Sequence, residues 1–321
     1  MHASRWIRAV GLLLVVGSCS FADEPKKLLL LGQKPDGHPP GTHEYMPGQR
    51  LLAKLLADVN GIESRVVQAD DPWSDGPKLL DKADGVVLFV SEGARWVTAD
   101  ADRLHAERGG GLAVLHWGMG TREAGPIDRF VKLFGGCHGG PDRKYKVLDD
   151  AEVRVSNPDH PITRGIGDLR VRDEFYYRLK IVPPAGTIRP VLQVPIDGEL
   201  ETVAWSWDRP DGGRSFGFSG LHFHENWGRP EYRRLVLQAV LWTLKLPIPE
   251  KGTAVGVAMQ SLGCYECECH SMSCSPVARP LQTLTISPAR IESGFRKTVS
   301  YNSFGVELNY RIRRSRLIAS F

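Results

Sequence analysis

Several groups of side chains in this sequence have the types and spacing for chemistry. His116 stands where the apolar run Leu112-Ala113-Val114-Leu115 stops, and in a doubly wound sheet that end of a strand faces the ligand crevice. A histidine that satisfies backbone groups near the core is the structural alternative. In His222-Phe223-His224-Glu225-Asn226-Trp227 the i, i+2 histidines would share one face of a strand, an arrangement suited to metal ligands. A catalytic zinc takes three protein ligands plus water, so His116 or Glu174 would have to complete a site with His222 and His224. The first reading is a metal-free polar sugar pocket with Trp227 as a stacking wall; a divalent metal cofactor on those four residues is the second, and plain structural hydrogen bonding the third.

Asp173-Glu174-Phe175-Tyr176-Tyr177 places two acids and two phenols where a strand begins. Adjacent strand residues face opposite ways, so one of Asp173 and Glu174 is expected to enter a given pocket. A carboxylate beside an imidazole acts as a general base or fixes the histidine tautomer; a buried ion pair is the plainer use. Gly135-Gly136-Cys137-His138-Gly139 matches Gly-x-Cys-x-Gly, but a nucleophile elbow needs a strand before and a helix after. Here helical spacing (Ile127, Phe130, Val131, Phe134) precedes and Gly-Gly-Pro follows, so a thiol hydrolase using Cys137 is a minor alternative. The glycines and His138 are expected to shape a loop around the site.

The elements that must position these groups alternate. Leu28 to Leu31 reads as a buried strand feeding a Pro/Gly/His-rich loop, Lys34 to Pro47. Leu51, Leu52, Leu55, Leu56 and Val59 have helical spacing and stop at Asn60-Gly61. Arg65–Gln68 and Gly85–Val90 read as strands, Leu79–Ala83 as a short helix, and Thr98 as the cap of a helix ending at Gly109-Gly110-Gly111. From Val147 the strands become shorter and more polar: Ala151–Val155, Phe175–Ile181, Val191–Val194, Thr202–Trp207 and Arg214–Gly220. A helix carrying Tyr232, Leu235, Val236, Ala239, Val240 and Leu244 closes the body before Pro247-Ile248-Pro249. The expected class is α/β: an open, mostly parallel sheet flanked by helices, with a β-rich insertion.

The ends of the chain differ from this body. Met1–Ala22 has Arg5 and Arg8, then an apolar run, then small residues before Asp23, the pattern of a secretory signal peptide. Cleavage after Ala22 is expected; Val16-Gly17-Ser18-Cys19 also resembles a lipobox, which would anchor Cys19 in lipid. The apolar run is shorter than the ~20 residues that span a bilayer, so no transmembrane span is expected. Localisation is then periplasmic or extracellular. Of the 321 residues, those after 250 carry nine Lys or Arg against four Asp or Glu, leaving the first 250 at −1 in a chain of net +4. No clustered Lys/Arg face precedes residue 251, which argues against a nucleic-acid partner. The tail, 250–321, reads as disordered and basic. Its Cys264, Cys267, Cys269, His270 and Cys274 lack the paired spacing of a zinc finger.

The order of His116 after its strand, Gly135-Gly136 with His138, His160-Pro161-Ile162-Thr163-Arg164-Gly165, Asp173-Glu174-Phe175-Tyr176, Val203-Ala204-Trp205, Gly217-Phe218-Ser219-Gly220-Leu221-His222 and Trp242 resembles the ThuA-like trehalose-utilisation family over residues 27–249. The resemblance implies a class I glutamine amidotransferase-like (flavodoxin-like) fold without amidotransferase chemistry, since His116 stands near the position of the amidotransferase cysteine. It also implies a link to trehalose and keto-sugar catabolism. His224 departs from the simpler Gly-His ending of the family, so a carried-over role fits His222 better. The expected activity is acid–base chemistry on a carbohydrate by His116, Glu174 and His222, with Trp117, His138, Asp173, Tyr176, His224 and Trp227 around the substrate. The alternative is a non-catalytic sugar-binding protein that stacks its ligand on Trp117, Trp227 and Tyr176.

Overall fold

The computed structural model describes residues 24–70, 73–93, 108–181 and 187–256. The signal-like segment with Cys19, the helix expected from Thr98 and the cysteine-bearing tail lie outside the described residues. The chain divides into two units, Met1–Tyr265 and Glu266–Phe321, and everything below concerns the first.

Strand β1 (Lys26–Gly32) explains the layering. Its four leucines are all buried, and their side chains alternate: Leu28 and Leu30 join one apolar cluster, Leu29 and Leu31 the other. β3 (Gly85–Leu88) and β4 (Gly111–Leu115) divide the same way, Val87 and Ala113 against Val86 and Val114. A period-2 strand buried on both faces needs helices on both. Helices α1 (Tyr45–Leu56) and α4 (Pro230–Thr243) cover one face through Leu52, Leu55, Leu235 and Val240. α2 (Gly76–Asp81) and α3 (Ile127–Phe134) cover the other through Leu80, Phe130 and Phe134.

Nine strands form one sheet in the order β2-β1-β3-β4-β12-β11-β10-β7-β8. Here β2 is Ile62–Gln68, β7 Lys144–Val155, β8 Leu169–Tyr177, β10 Thr187–Ile196, β11 Glu199–Asp208 and β12 Arg214–Phe218. The pairings from β2 to β12 are parallel, and those from β12 to β8 are antiparallel. The expected β-rich insertion is therefore not a separate part: its strands continue the same sheet beyond β12, and the sheet is mixed rather than mostly parallel. A small second sheet holds β5 (Gly120–Thr121), β6 (Gly136–Gly139) and β9 (Lys180–Ile181).

Several boundaries differ from expectation. The strands after Val147 are long rather than short, 12, 9, 10 and 10 residues in β7, β8, β10 and β11, so Asp173 and Glu174 lie inside β8 and not at its start. Three further differences bear on the site and the body. The loop after β1 ends at Glu44, because α1 begins at Tyr45 with Pro47 in its first turn, where proline lacks no needed donor. Residues 136–139 form a strand rather than a loop. The packed chain also runs past residue 249: Gln238 accepts from Thr253 N, and the buried Val255 carbonyl accepts from Arg233.

The His160–Gly165 segment, the most distinctive stretch of the sequence, is a clamp rather than a site. His160 Nδ1 accepts from Ile162 N at 3.2 Å and caps the 3-10 turn Pro161–Thr163. Gln238 of α4 donates to the carbonyls of Ile162 and Arg164, and the His160 ring lies 5.2 Å from that of Trp242. Burial, with Arg189 nearby, holds His160 down to about 4. Its unfolded value is near 6.5, so only the unfolded chain gains a proton as pH falls from there. The stability from neutral His160 is full above about pH 6.5 and declines as pH falls toward 4. Replacing His160 with Asn keeps a capping oxygen and removes the titration. Thermal unfolding followed from pH 7 to 4.5 should show a shallower fall in Tm for His160→Asn than for wild type; parallel curves would contradict it.

Candidate functional site

The ends of three strands and the inner residues of a fourth build one cluster, buried except at His38 and Asp36. In the parallel half of the sheet, β1 leads to the loop carrying Asp36, His38 and His43, β4 runs into His116, and β12 leads through Ser219 to His222. β8 supplies Asp173, Glu174 and Tyr176. All of these come together beyond the carboxyl ends of the parallel strands, the usual ligand position of such sheets.

The backbone is bent to present them. His43, His116 and Leu221 have φ of 53°, 45° and 74°, a region that costs non-glycine residues roughly 1–3 kcal/mol each and collects at functional sites. Glu92, at the end of the β3 segment, joins them at 51° and receives the Arg122 backbone N–H and guanidinium. The turn after His116 passes so close to residue 93 that a Cβ there would sit 1.8 Å from the Gly118 carbonyl oxygen; only glycine fits.

Hydrogen bonds decide which nitrogens face inward. His116 Nδ1 lies 2.7 Å from the Ser219 carbonyl oxygen, which only accepts, so Nδ1 carries the proton and Nε2 a lone pair. His43 Nδ1 lies 3.1 Å from Asp36 Oδ2, which also receives the Tyr45 hydroxyl at 2.7 Å, while His38 Nδ1 meets Oδ1 at 2.7 Å. Burial opposes the charge on Asp36, but the bonds from His43, Tyr45 and His38 outweigh it and hold that carboxyl well below its ordinary range. The Tyr45 hydroxyl also lies 2.9 Å from His43 Nδ1, but it donates to the charged Asp36 oxygen, the stronger acceptor. With His43 Nδ1 donating to the same carboxylate, an Nε2 lone pair turns inward. The two Nε2 atoms are 3.0 Å apart. His222 Nδ1 is 3.2 Å and the Tyr176 hydroxyl 3.0 Å from His116 Nε2. Glu174 Oε1 lies 3.8 Å from His116 Nε2 and 3.6 Å from His222 Nδ1. The ligand-type atoms of His43, His116, His222 and Glu174 all fall within 4.8 Å of one another.

Burial sets the charges. It depresses His43, drives His116 well below the ordinary histidine value, and lowers His222 to about 3, with the neighbouring His43 adding to the last two. It pushes Glu174 up to about 7, helped by Asp173. Asp173 also rises to about 7 through burial, against the hydrogen bonds it accepts. Those bonds come from Leu221 N at 2.8 Å, His222 N at 3.1 Å and Glu174 N at 2.9 Å. Strand alternation thus sends Glu174 to the imidazoles and leaves Asp173 to hold the loop that presents His222.

The remaining expected residues divide. Tyr176 stacks between His116 (ring centroids 4.6 Å apart) and His138 (3.9 Å). Trp117 touches the His138 ring edge and lies under Arg122 and Arg143. Trp227 is 0% exposed and belongs to the core, so it is no stacking wall. With both faces of Tyr176 covered and Trp117 buried, none of the three presents an open ring to a sugar. His224 does not join the cluster: Phe223 makes a single bridge to Thr42, and His224 starts a 3-10 turn, so no strand exists to put residues 222 and 224 on one face. His43 takes that place. Asp36, His38, His43 and Tyr45 are the residues that sequence reasoning missed, and the signal was available: two histidines and an acid within eight residues of the loop after the first buried strand. A separate cleft of about 390 Å³, lined by Lys26, Asp84, Arg108 and Lys245, lies at the opposite, amino end of β1 and β4.

The ThuA family, described as trehalose utilisation, matches residues 36–243. A ThuA-like protein from Bacteroides uniformis is similar in structure with a TM-score of 0.53 and 16% identity, covering 70% of this chain and 94% of that one. Another from Parabacteroides merdae has a TM-score of 0.50 and 14% identity, covering 69% and 90%. At these identities the likeness concerns the fold, a glutamine amidotransferase-like α/β architecture. No curated protein matches the sequence.

Cys137 is 0% exposed, and burial pushes its thiol up to about 12, so the thiolate a hydrolase needs is absent at neutral pH. Iodoacetamide treatment of the folded protein at pH 7.5, followed by peptide mass spectrometry, should leave Cys137 unlabelled until denaturant is added. Rapid native labelling would restore the thiol reading.

Proposed function

Because the chain belongs to the ThuA family, we propose that it is an exported enzyme of sugar metabolism that moves a proton beside a carbonyl in a keto-sugar or related carbohydrate. Family membership supports a function related to trehalose utilisation. The signal-like Met1–Ala22 segment supports export, and no helix among the described residues is long and apolar enough to cross a membrane.

The observation that carries the catalytic reading is the convergence of Glu174 with three inward-facing imidazoles and the Tyr176 hydroxyl inside one buried shell. Removing a proton from the carbon next to a carbonyl needs a base and, at the same moment, a donor or positive centre at the oxygen where charge develops. Glu174 and His222, each slightly exposed, form the accessible edge of the cluster, which places Glu174 as the base. The Tyr176 hydroxyl, 3.0 Å from His116 Nε2, is the donor suited to the oxygen. The proton taken from one carbon returns to its neighbour, the carbonyl and hydroxyl exchange places, and no oxidant is consumed. Non-catalytic sugar binding by aromatic stacking has less support, because the rings it would use are covered.

Incubation in D2O with a panel of aldoses, ketoses and keto-disaccharides, read by NMR, should place a deuteron on the carbon beside the carbonyl of at least one of them. Glu174→Gln and His116→Ala should slow that exchange by about 10²–10⁴-fold. If the wild-type protein binds sugars yet exchanges and converts none, the catalytic reading fails.

A further inference from the structure

Two unprotonated imidazole nitrogens facing each other at 3.0 Å form an unfavourable contact, and His43, His116 and Tyr176 around it are buried. With His116 Nδ1–H committed to the Ser219 carbonyl and His43 Nδ1–H given to the Asp36 carboxylate, neither ring has a hydrogen to place between the two Nε2 atoms. His43 Nε2 would carry one only if Nδ1 accepted from the Tyr45 hydroxyl 2.9 Å away, and the charged Asp36 oxygen, 2.7 Å from that hydroxyl, is the stronger acceptor for it. The Tyr176 hydroxyl can serve His116, which leaves His43 Nε2 still turned toward the same point. Backbone strain at His43, His116 and Leu221 directs all three rings to this place, where protein groups alone do not repay it. A positive centre between the nitrogens would resolve both.

We infer that His43 Nε2, His116 Nε2 and His222 Nδ1 hold a divalent first-row transition metal ion, with Glu174 on its open side. Four ligands at about 2.0–2.1 Å in a tetrahedron lie roughly 3.3 Å from one another. His116 Nε2 is 3.0 Å from His43 Nε2 and 3.2 Å from His222 Nδ1, close to that spacing, whereas Glu174 Oε1 stands farther off, 3.6 and 3.8 Å from two of the nitrogens, beside the position a fourth ligand would take. The outer partners match as well: metal-bound histidines donate their other ring N–H to a carboxylate or a carbonyl, and Asp36 and Ser219 are one of each. Three imidazoles select borderline ions such as Zn²⁺, Fe²⁺ or Co²⁺ over Mg²⁺ or Ca²⁺, which prefer oxygen. Three nitrogen ligands leave a coordination position open, and Glu174 lies on that side, free to exchange a proton with whatever oxygen ligand occupies it.

The test uses the untagged full chain, stripped with chelator and then titrated with Zn²⁺ and, separately, Co²⁺. One ion per chain is expected by elemental analysis, with Co²⁺ giving visible bands and no thiolate charge-transfer absorption, which separates this site from Cys264–Cys274 in the tail. His43→Ala and His116→Ala should each lose the stoichiometric ion. Asp36→Asn, which leaves all three ligands in place, should weaken binding about 10–100-fold while thermal unfolding of the stripped variant confirms that it folds. Glu174→Gln should retain the ion. Failure of the wild-type chain to take up an ion overturns the proposal; so does uptake that survives both histidine substitutions, or loss of the ion in Glu174→Gln. These readouts need no substrate: metal uptake without deuterium exchange would leave this inference standing and sink the proton-transfer reading, and the reverse result would do the opposite.

Discussion

The hydrogen bond from His116 Nδ1 to the Ser219 carbonyl is the constraint on which the rest of the site depends. It ties the residue leaving β4 to the residue leaving β12, two strands that are parallel neighbours with Leu115 beside Phe218. It also fixes the tautomer of the most deeply buried imidazole, and so determines that a lone pair rather than a proton faces His43, His222 and Tyr176. The bend that makes this possible is a left-handed residue at the strand end, followed by a turn packed so closely against residue 93 that no side chain can stand there. Had His116 continued the strand, its ring would have packed into one of the two apolar faces.

Around that bond, burial produces a division of charge. The imidazoles are held neutral and the Asp173–Glu174 pair is pushed toward neutrality. Asp36 alone keeps its charge against desolvation, because three side chains donate to it. Asp173 and Glu174 are adjacent in sequence and chemically identical in kind, yet one organises backbone N–H groups and the other faces the imidazoles. The pleat of β8 makes that assignment, since successive side chains leave opposite faces.

The polar groups that keep the scaffold rigid lie elsewhere. Gln49 of α1 is fully buried and donates to the carbonyls of Leu31 and Val87, fastening the helix to the ends of β1 and β3. Arg209 does the same for the turn before β12, through Gly110 and Arg214. The His160–Gly165 clamp on α4 belongs with these. The most recognisable stretch of the sequence therefore serves stability, whereas the ordinary-looking Pro/Gly/His loop after β1 serves the site.

Much of the parallel half was legible in the residues themselves. Leu28–Leu31, Val86–Leu88 and Leu112–Leu115 are apolar at every position, which only a strand covered on both faces requires, and the spacing in α1, α3 and α4 named their buried sides. The place of His116 followed from the end of such a strand, and Glu174 and His222 lie 3.8 and 3.2 Å from its Nε2. What no local pattern carried was distance across the fold. His43 precedes His116 by 73 positions and His222 follows it by 106, and only the parallel order β1-β3-β4-β12 sets their loops side by side. The pairing of His222 with His224 failed because spacing implies a shared face only inside a strand, and the chain there turns into a 3-10 segment. The sequence by itself determined which segments are buried and which residues could react, because burial and reactivity are properties of side-chain type and local period. The tertiary structure alone decided which reactive groups meet, in which tautomer and with what charge, because those depend on partners brought together by strand order and on the solvent that packing excludes.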